Sequence, residues 1–85
     1  MTDTEIMLLA VHRSPLIPLA AICKAHFNLS PAEAAREAAF NRMPVPVFRL
    51  RASNRAPYMV HVRDLAAFAD SRAADAARSW ERSQT

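Results

Sequence analysis

Three residues, Asn28-Leu29-Ser30, separate two stretches of helical spacing, and this join constrains the chain most. A connection so short turns the chain sharply, so the two helices must pack on each other at an angle. The second helix has a well-specified start. Ser30 can cap it, Pro31 suits its first position, and Glu33 stands where a capping box needs a carboxylate. The spacing predicts a helix from residue 31 to 42 or 43. Ala34, Ala35, Ala38 and Ala39 gather on one side, with Glu33, Arg36, Glu37 and Phe40 on the other and Asn41 adjacent. Small alanines let this helix nest on its neighbour and turn its polar side outward. In the preceding helix Pro18 fits the first turn, and Leu19, Ile22, Cys23 and Phe27 form the buried face. Lys24 projects elsewhere.

Pro44-Val45-Pro46 ends the second helix and forces an extended exit. Residues 47–51 alternate and read as a strand, and residues 58–62 return as a second. Between them lies polar turn chemistry at Ala52-Ser53-Asn54-Arg55. The chain has no glycine, so Asn54 is the residue best suited to a left-handed turn position. Leu16-Ile17 is a candidate third strand. Thr2 or Thr4 can cap a first helix running to about His12, with Ile6, Leu9 and Ala10 as its apolar stripe and Met7 beside it. Asp64 can cap a last helix over about 64–82. Its apolar stripe continues past Arg72 as Ala73, Ala76, Ala77 and Trp80, a frayed end or a surface for a second copy. The fold expected is α+β, mostly helical: a winged helix-turn-helix with a β-hairpin wing and a long C-terminal helix. It forms a single domain over 1–85, with the helix-turn-helix over about 18–43 and the wing over about 47–62.

The 85 residues carry a net charge of +3, unevenly placed. Residues 36–63 hold Arg36, Arg42, Arg49, Arg51, Arg55 and Arg63 against Glu37 alone, a local +5, while the segments on either side each sum to −1. This local excess is the footprint expected of a face that binds a polyanion. Its cations are all arginine, which suits bidentate contact to phosphate or guanine. Arg36 and Asn41 match base edges, Glu37 can accept from cytosine, and Arg42 lies nearby. Arg49, Arg51, Ser53, Asn54 and Arg55 supply the wing, and Lys24 is a further candidate phosphate contact.

Other classes are disfavoured. A lone Cys23 on an apolar helix face argues against a disulfide framework and points to a buried, unreactive thiol in a cytosolic protein. His12, His26 and His61 lack metal-ligand spacing, and a chain without glycine has no glycine-rich phosphate loop. No cofactor and no enzymatic activity are expected. No apolar run approaches the roughly 18 residues of a membrane span, and the start is acidic where a signal peptide would be basic.

The stretch from Ile17 to about Asp70 resembles the pyocin activator protein PrtN family of bacterial and prophage regulators. The resemblance rests on Ile17-Pro18-Leu19, the exit Pro44-Val45-Pro46-Val47-Phe48-Arg49, Ala56-Pro57, and the run Val60-His61-Val62-Arg63-Asp64-Leu65-Ala66. The broader pattern is similar to phage excisionases and the DNA-binding domain of MerR regulators. The resemblance implies a sequence-specific, double-stranded-DNA-binding transcription factor, an activator of pyocin-like or prophage genes. Its DNA contacts would fall on Arg36, Asn41, Arg49, Arg51, Asn54 and Arg55. A domain this small covers one half-site, so a homodimer or higher homo-oligomer on DNA is expected, with RNA polymerase as a further candidate partner. Two alternatives stay open. One is an excisionase-like architectural factor. The other is a protein-binding inhibitor on the same fold, kept alive by Glu33 and Glu37 on the presumed reading face.

Overall fold

A computed structural model describes residues 1–84. The protein is α+β and mostly helical, with one small antiparallel sheet. The elements run α1 (Asp3–His12), β1 (Leu16–Pro18), α2 (Leu19–Phe27), α3 (Pro31–Ala39), β2 (Met59–His61) and α4 (Val62–Ser83).

Helix α1 opens where the sequence places it. The Thr2 hydroxyl accepts from the Glu5 N–H at 3.1 Å, and Asp3 and Glu5 complement the dipole of the first turn. Its inner face differs from the one expected. Leu8 and Leu9 pack against the core, with Thr4, Glu5 and His12 half-buried beside them, while Ile6 is 47% exposed and Met7 and Val11 more so. The inner residues recur at four-residue steps, so the helix is rotated away from Ile6 and Ala10. The Thr4 hydroxyl donates to Asp70 at 2.6 Å, and the Val62 N–H donates to the Pro15 carbonyl at 2.8 Å. These two contacts set α1 antiparallel to the first half of α4.

The candidate third strand is the principal one. β1 pairs with β2 in the register Leu16↔His61, Ile17↔Val60 and Pro18↔Met59. Pro18 closes this strand and caps α2 instead of opening it, and the Leu19 N–H is satisfied by the Tyr58 carbonyl at 2.9 Å. The expected strand over 47–51 contracts to one bridge, Phe48↔Met59, with N–H···O bonds of 3.0 and 2.7 Å. Prolines explain the contraction. In that register the next hydrogen-bonded pairs would be Pro46 with His61 and Leu50 with Pro57, and each contains a residue without an N–H.

α2 closes at Asn28, left-handed with φ 55°, and the Leu29 N–H reaches back to the Cys23 carbonyl at 3.1 Å. α3 then begins with both halves of the capping box in place: the Ser30 hydroxyl accepts from Glu33 N–H at 3.2 Å, and the Glu33 carboxylate accepts from Ser30 N–H at 3.1 Å. α3 stops at Ala39, short of residue 42. Asn41 takes φ 57°, and the N–H groups of Phe40, Asn41 and Arg42 turn back onto the last carbonyls. α4 begins two residues before the expected cap. The His61 Nδ1 accepts from Arg63 N–H at 3.1 Å, and Asp64 sits inside the first turn.

Ile17, Leu19, Ile22, Cys23, Ala34, Val45, Val60, Val62 and Leu65 form the core, with Phe27 and Phe68 closing one side at a ring separation of 5.8 Å. From Ala69 to Ser83 every residue of α4 is exposed.

Candidate nucleic-acid interface

The cationic segment leaves α3, passes through the buried anchor Val45, and makes an arm over 47–57 that returns to β2. Two anchors hold the arm: the Phe48–Met59 bridge and the packing of Val47 and Tyr58 against the core. Between them residues 50–57 form bends and a turn without ladder bonds. The Ser53 hydroxyl accepts from the Arg55 N–H at 3.2 Å and shapes the tip. Asn54 is not left-handed; among the described residues that backbone region belongs to Arg13, Asn28 and Asn41. The tip closes through Ser53 instead, so it needs no residue of positive φ.

A groove of about 540 Å³ runs between the last turn of α3, at Ala38 and Ala39, and the arm. Arg49, Arg51, Ser53 and Asn54 all line it, with Tyr58 at its wall. Arg51, Ser53 and Arg55 also line a second, more apolar hollow of about 390 Å³ with Leu50, Pro57 and Met59. The fold thus brings Arg49, Arg51, Ser53 and Asn54 together beside α3, with Arg55 on the second hollow.

The helix residues are placed differently from one another. Arg36 lies on the exposed side of α3. Asn41 lies beyond the helix end, so its side chain is presented by a left-handed turn and not by the helix surface. Glu37 is engaged by Arg42, Nε to Oε2 at 3.2 Å, and the Arg42 guanidinium stacks on Phe40 at 4.8 Å. Glu33 is held by the cap: its hydrogen bonds with Ser30 draw its carboxyl below the usual range, with a smaller contribution from Arg36 and Lys24. Lys24 is exposed on α2, outside the groove lining but close enough to act on Glu33.

The two acids on this side are therefore used locally. By contrast, the Arg49, Arg51 and Arg55 guanidinium groups meet no carboxylate and donate no hydrogen bond among the described residues. Sequence reasoning missed Tyr58, whose ring carries the Arg49 guanidinium at 4.1 Å. The signal available was an aromatic facing an arginine across a short hairpin. Ala73, Ala76, Ala77 and Trp80 lie along the exposed end of α4, away from the groove, with Trp80 64% exposed.

Among the described residues no group of three His, Cys, Asp or Glu is placed to hold a metal, and no helix is long and apolar enough to cross a membrane. Cys23 is fully buried, with its Sγ 3.6 Å from the Ala20 carbonyl.

Fold and face together define a small, mostly helical α+β domain with an unpaired arginine groove. The family model of the pyocin activator protein PrtN matches residues 4–76, and the chain belongs to that family. No curated protein matches the chain. No solved structure matches it.

Proposed function

We propose that the protein is a sequence-specific DNA-binding regulator of pyocin-like or prophage genes that acts in the cytoplasm as an activator. Membership of the PrtN family supports the coarse reading, a regulator of pyocin genes. The DNA-binding reading treats α2, the turn and α3 as a helix-turn-helix and the 47–57 arm as a shortened wing. The observation that carries it is the pairing pattern: Glu33 and Glu37 are engaged locally, while Arg49 and Arg51 stand without acceptors in the groove beside α3 and Arg55 without one at the arm tip. Clustered cations that meet no carboxylate gain most from a polyanion, whose counterions they displace. The same pattern weighs against the protein-binding alternative, because the glutamates that kept it alive are occupied by Ser30 and Arg42.

In this reading Arg36 on α3 approaches base edges, Asn41 approaches them from the turn, and Arg51, Ser53, Asn54 and Arg55 hold the backbone. A second copy joins through the bare end of α4, so that two arms reach two half-sites.

Paired substitutions test this division of labour. Arg55→Ala is expected to weaken binding to native and scrambled duplexes alike and to lower the salt slope by about one charge. Arg36→Ala is expected to cost about 1–3 kcal/mol mainly on the native site. Unchanged affinity in both variants removes the face from the DNA contact.

A further inference from the structure

Arg49 differs from the other unpaired arginines. Its Nε is enclosed and has no acceptor, and its guanidinium lies on the Tyr58 ring at 4.1 Å. An enclosed N–H on a cation without an acceptor destabilises a protein, so its presence asks for a reason. The ring face offers one: it attracts the cation and fixes its plane without satisfying its donors. Tyr58 is itself fixed, half-buried against the core in the residue before β2. The guanidinium is thus set in orientation before any ligand arrives, and its remaining surface lines the groove beside α3.

Besides Arg49 and the Tyr58 phenol, the polar side chains of that groove are Arg51, Ser53 and Asn54, and no acidic side chain lines it. Two cations, a hydroxyl and an amide around an open slot suit an anionic oxygen ligand more than a base edge, which mixes donors and acceptors. We propose that this groove is a phosphodiester slot, that Arg49 grips the phosphate end-on through its two terminal amino groups, and that Tyr58 is the positioning residue for Arg49. The proposal rests on the DNA-binding reading and makes it specific. Enclosure of Nε excludes a side-on grip, and the contact falls on the backbone, so it is independent of sequence.

The test uses the full chain with native and scrambled duplexes, and with inorganic phosphate as a separate ligand. Arg49→Lys keeps the charge but loses the plane and the stack. It is expected to weaken binding about tenfold on both duplexes, with the salt slope retained. Tyr58→Phe keeps the ring and is expected to bind like the parent, whereas Tyr58→Leu follows Arg49→Lys. The Arg49 guanidinium NMR signal is expected to move on adding duplex in the parent and in Tyr58→Phe. Equal binding by Arg49→Lys and the parent, with an unmoved Arg49 signal, overturns the slot while leaving DNA binding intact. A loss confined to the native duplex also overturns it, by making Arg49 a base reader. If no duplex binds but the Arg49 signal moves with inorganic phosphate, the slot stands as a phosphate site and the DNA reading falls. If neither ligand moves it, both fall.

Discussion

Ser30 and Glu33 show how much one pair of residues decides. Their reciprocal hydrogen bonds satisfy donors at the start of α3 that otherwise lack partners, and α3 forms one wall of the arginine groove. Ser30→Ala is expected to cost about 1 kcal/mol of stability in urea unfolding. It also has a pH signature. The folded Glu33 carboxyl lies below its unfolded value, so its contribution to stability is present above the unfolded value and is lost as pH falls through the folded one. Ser30→Ala should raise the Glu33 carboxyl in an NMR titration and shrink the loss of stability over that acid window. At the core, Ile22 is almost fully buried between α2 and its neighbours, and Ile22→Ala should cost about 2–5 kcal/mol, measured the same way. The capping box and the buried faces of Leu19, Ile22 and Cys23 were legible because each depends on residues within one or two turns. The stacking of Arg49 on Tyr58 was not, because it depends on how the arm folds back.

At the scale of elements, sequence spacing located every helix, and the errors fall at ends and faces. α3 ends early because Asn41 takes a left-handed conformation, which an Asn does readily but which periodicity does not announce. The arm pairs only at Phe48 because Pro46 and Pro57 remove the flanking donors; both prolines were visible, but their effect required the register. The face of α1 was misread because its orientation is set by packing on α4, not by α1 itself. α4 is the element whose length exceeds local need. Its 22 residues span about 33 Å, and the second half has no cover within the described chain. If a second copy covers it, the single Trp80 should shift its fluorescence to the blue as protein concentration rises, and Trp80→Ala should sediment as a monomer. Trp80 fluorescence independent of concentration, with the parent sedimenting as a monomer, would remove α4 as the dimer contact.

For the molecule as a whole, the extents of 52 × 26 × 17 Å describe a compact body with α4 projecting from it. The body holds the arginine groove on the α3 side, and the projection carries the bare apolar stripe, so the surfaces proposed for DNA and for a second copy are separate. This layout suits a protein that reads one half-site per copy and depends on association for affinity. The fold class and the basic segment were legible from charge placement and helix spacing, but the engagement of Glu37 by Arg42 and of Glu33 by the cap was not. Both carboxylates stay charged but are held locally, so the charges without an ionic partner in the groove are those of Arg49 and Arg51.

The most direct test is a titration of the protein onto duplex from the promoter of its neighbouring genes, beside a scrambled duplex, at two salt concentrations. The proposal predicts tighter binding to the native duplex, with affinity for both falling steeply as salt rises, in proportion to the arginines that meet phosphate. Absence of binding to either duplex at low salt would contradict it.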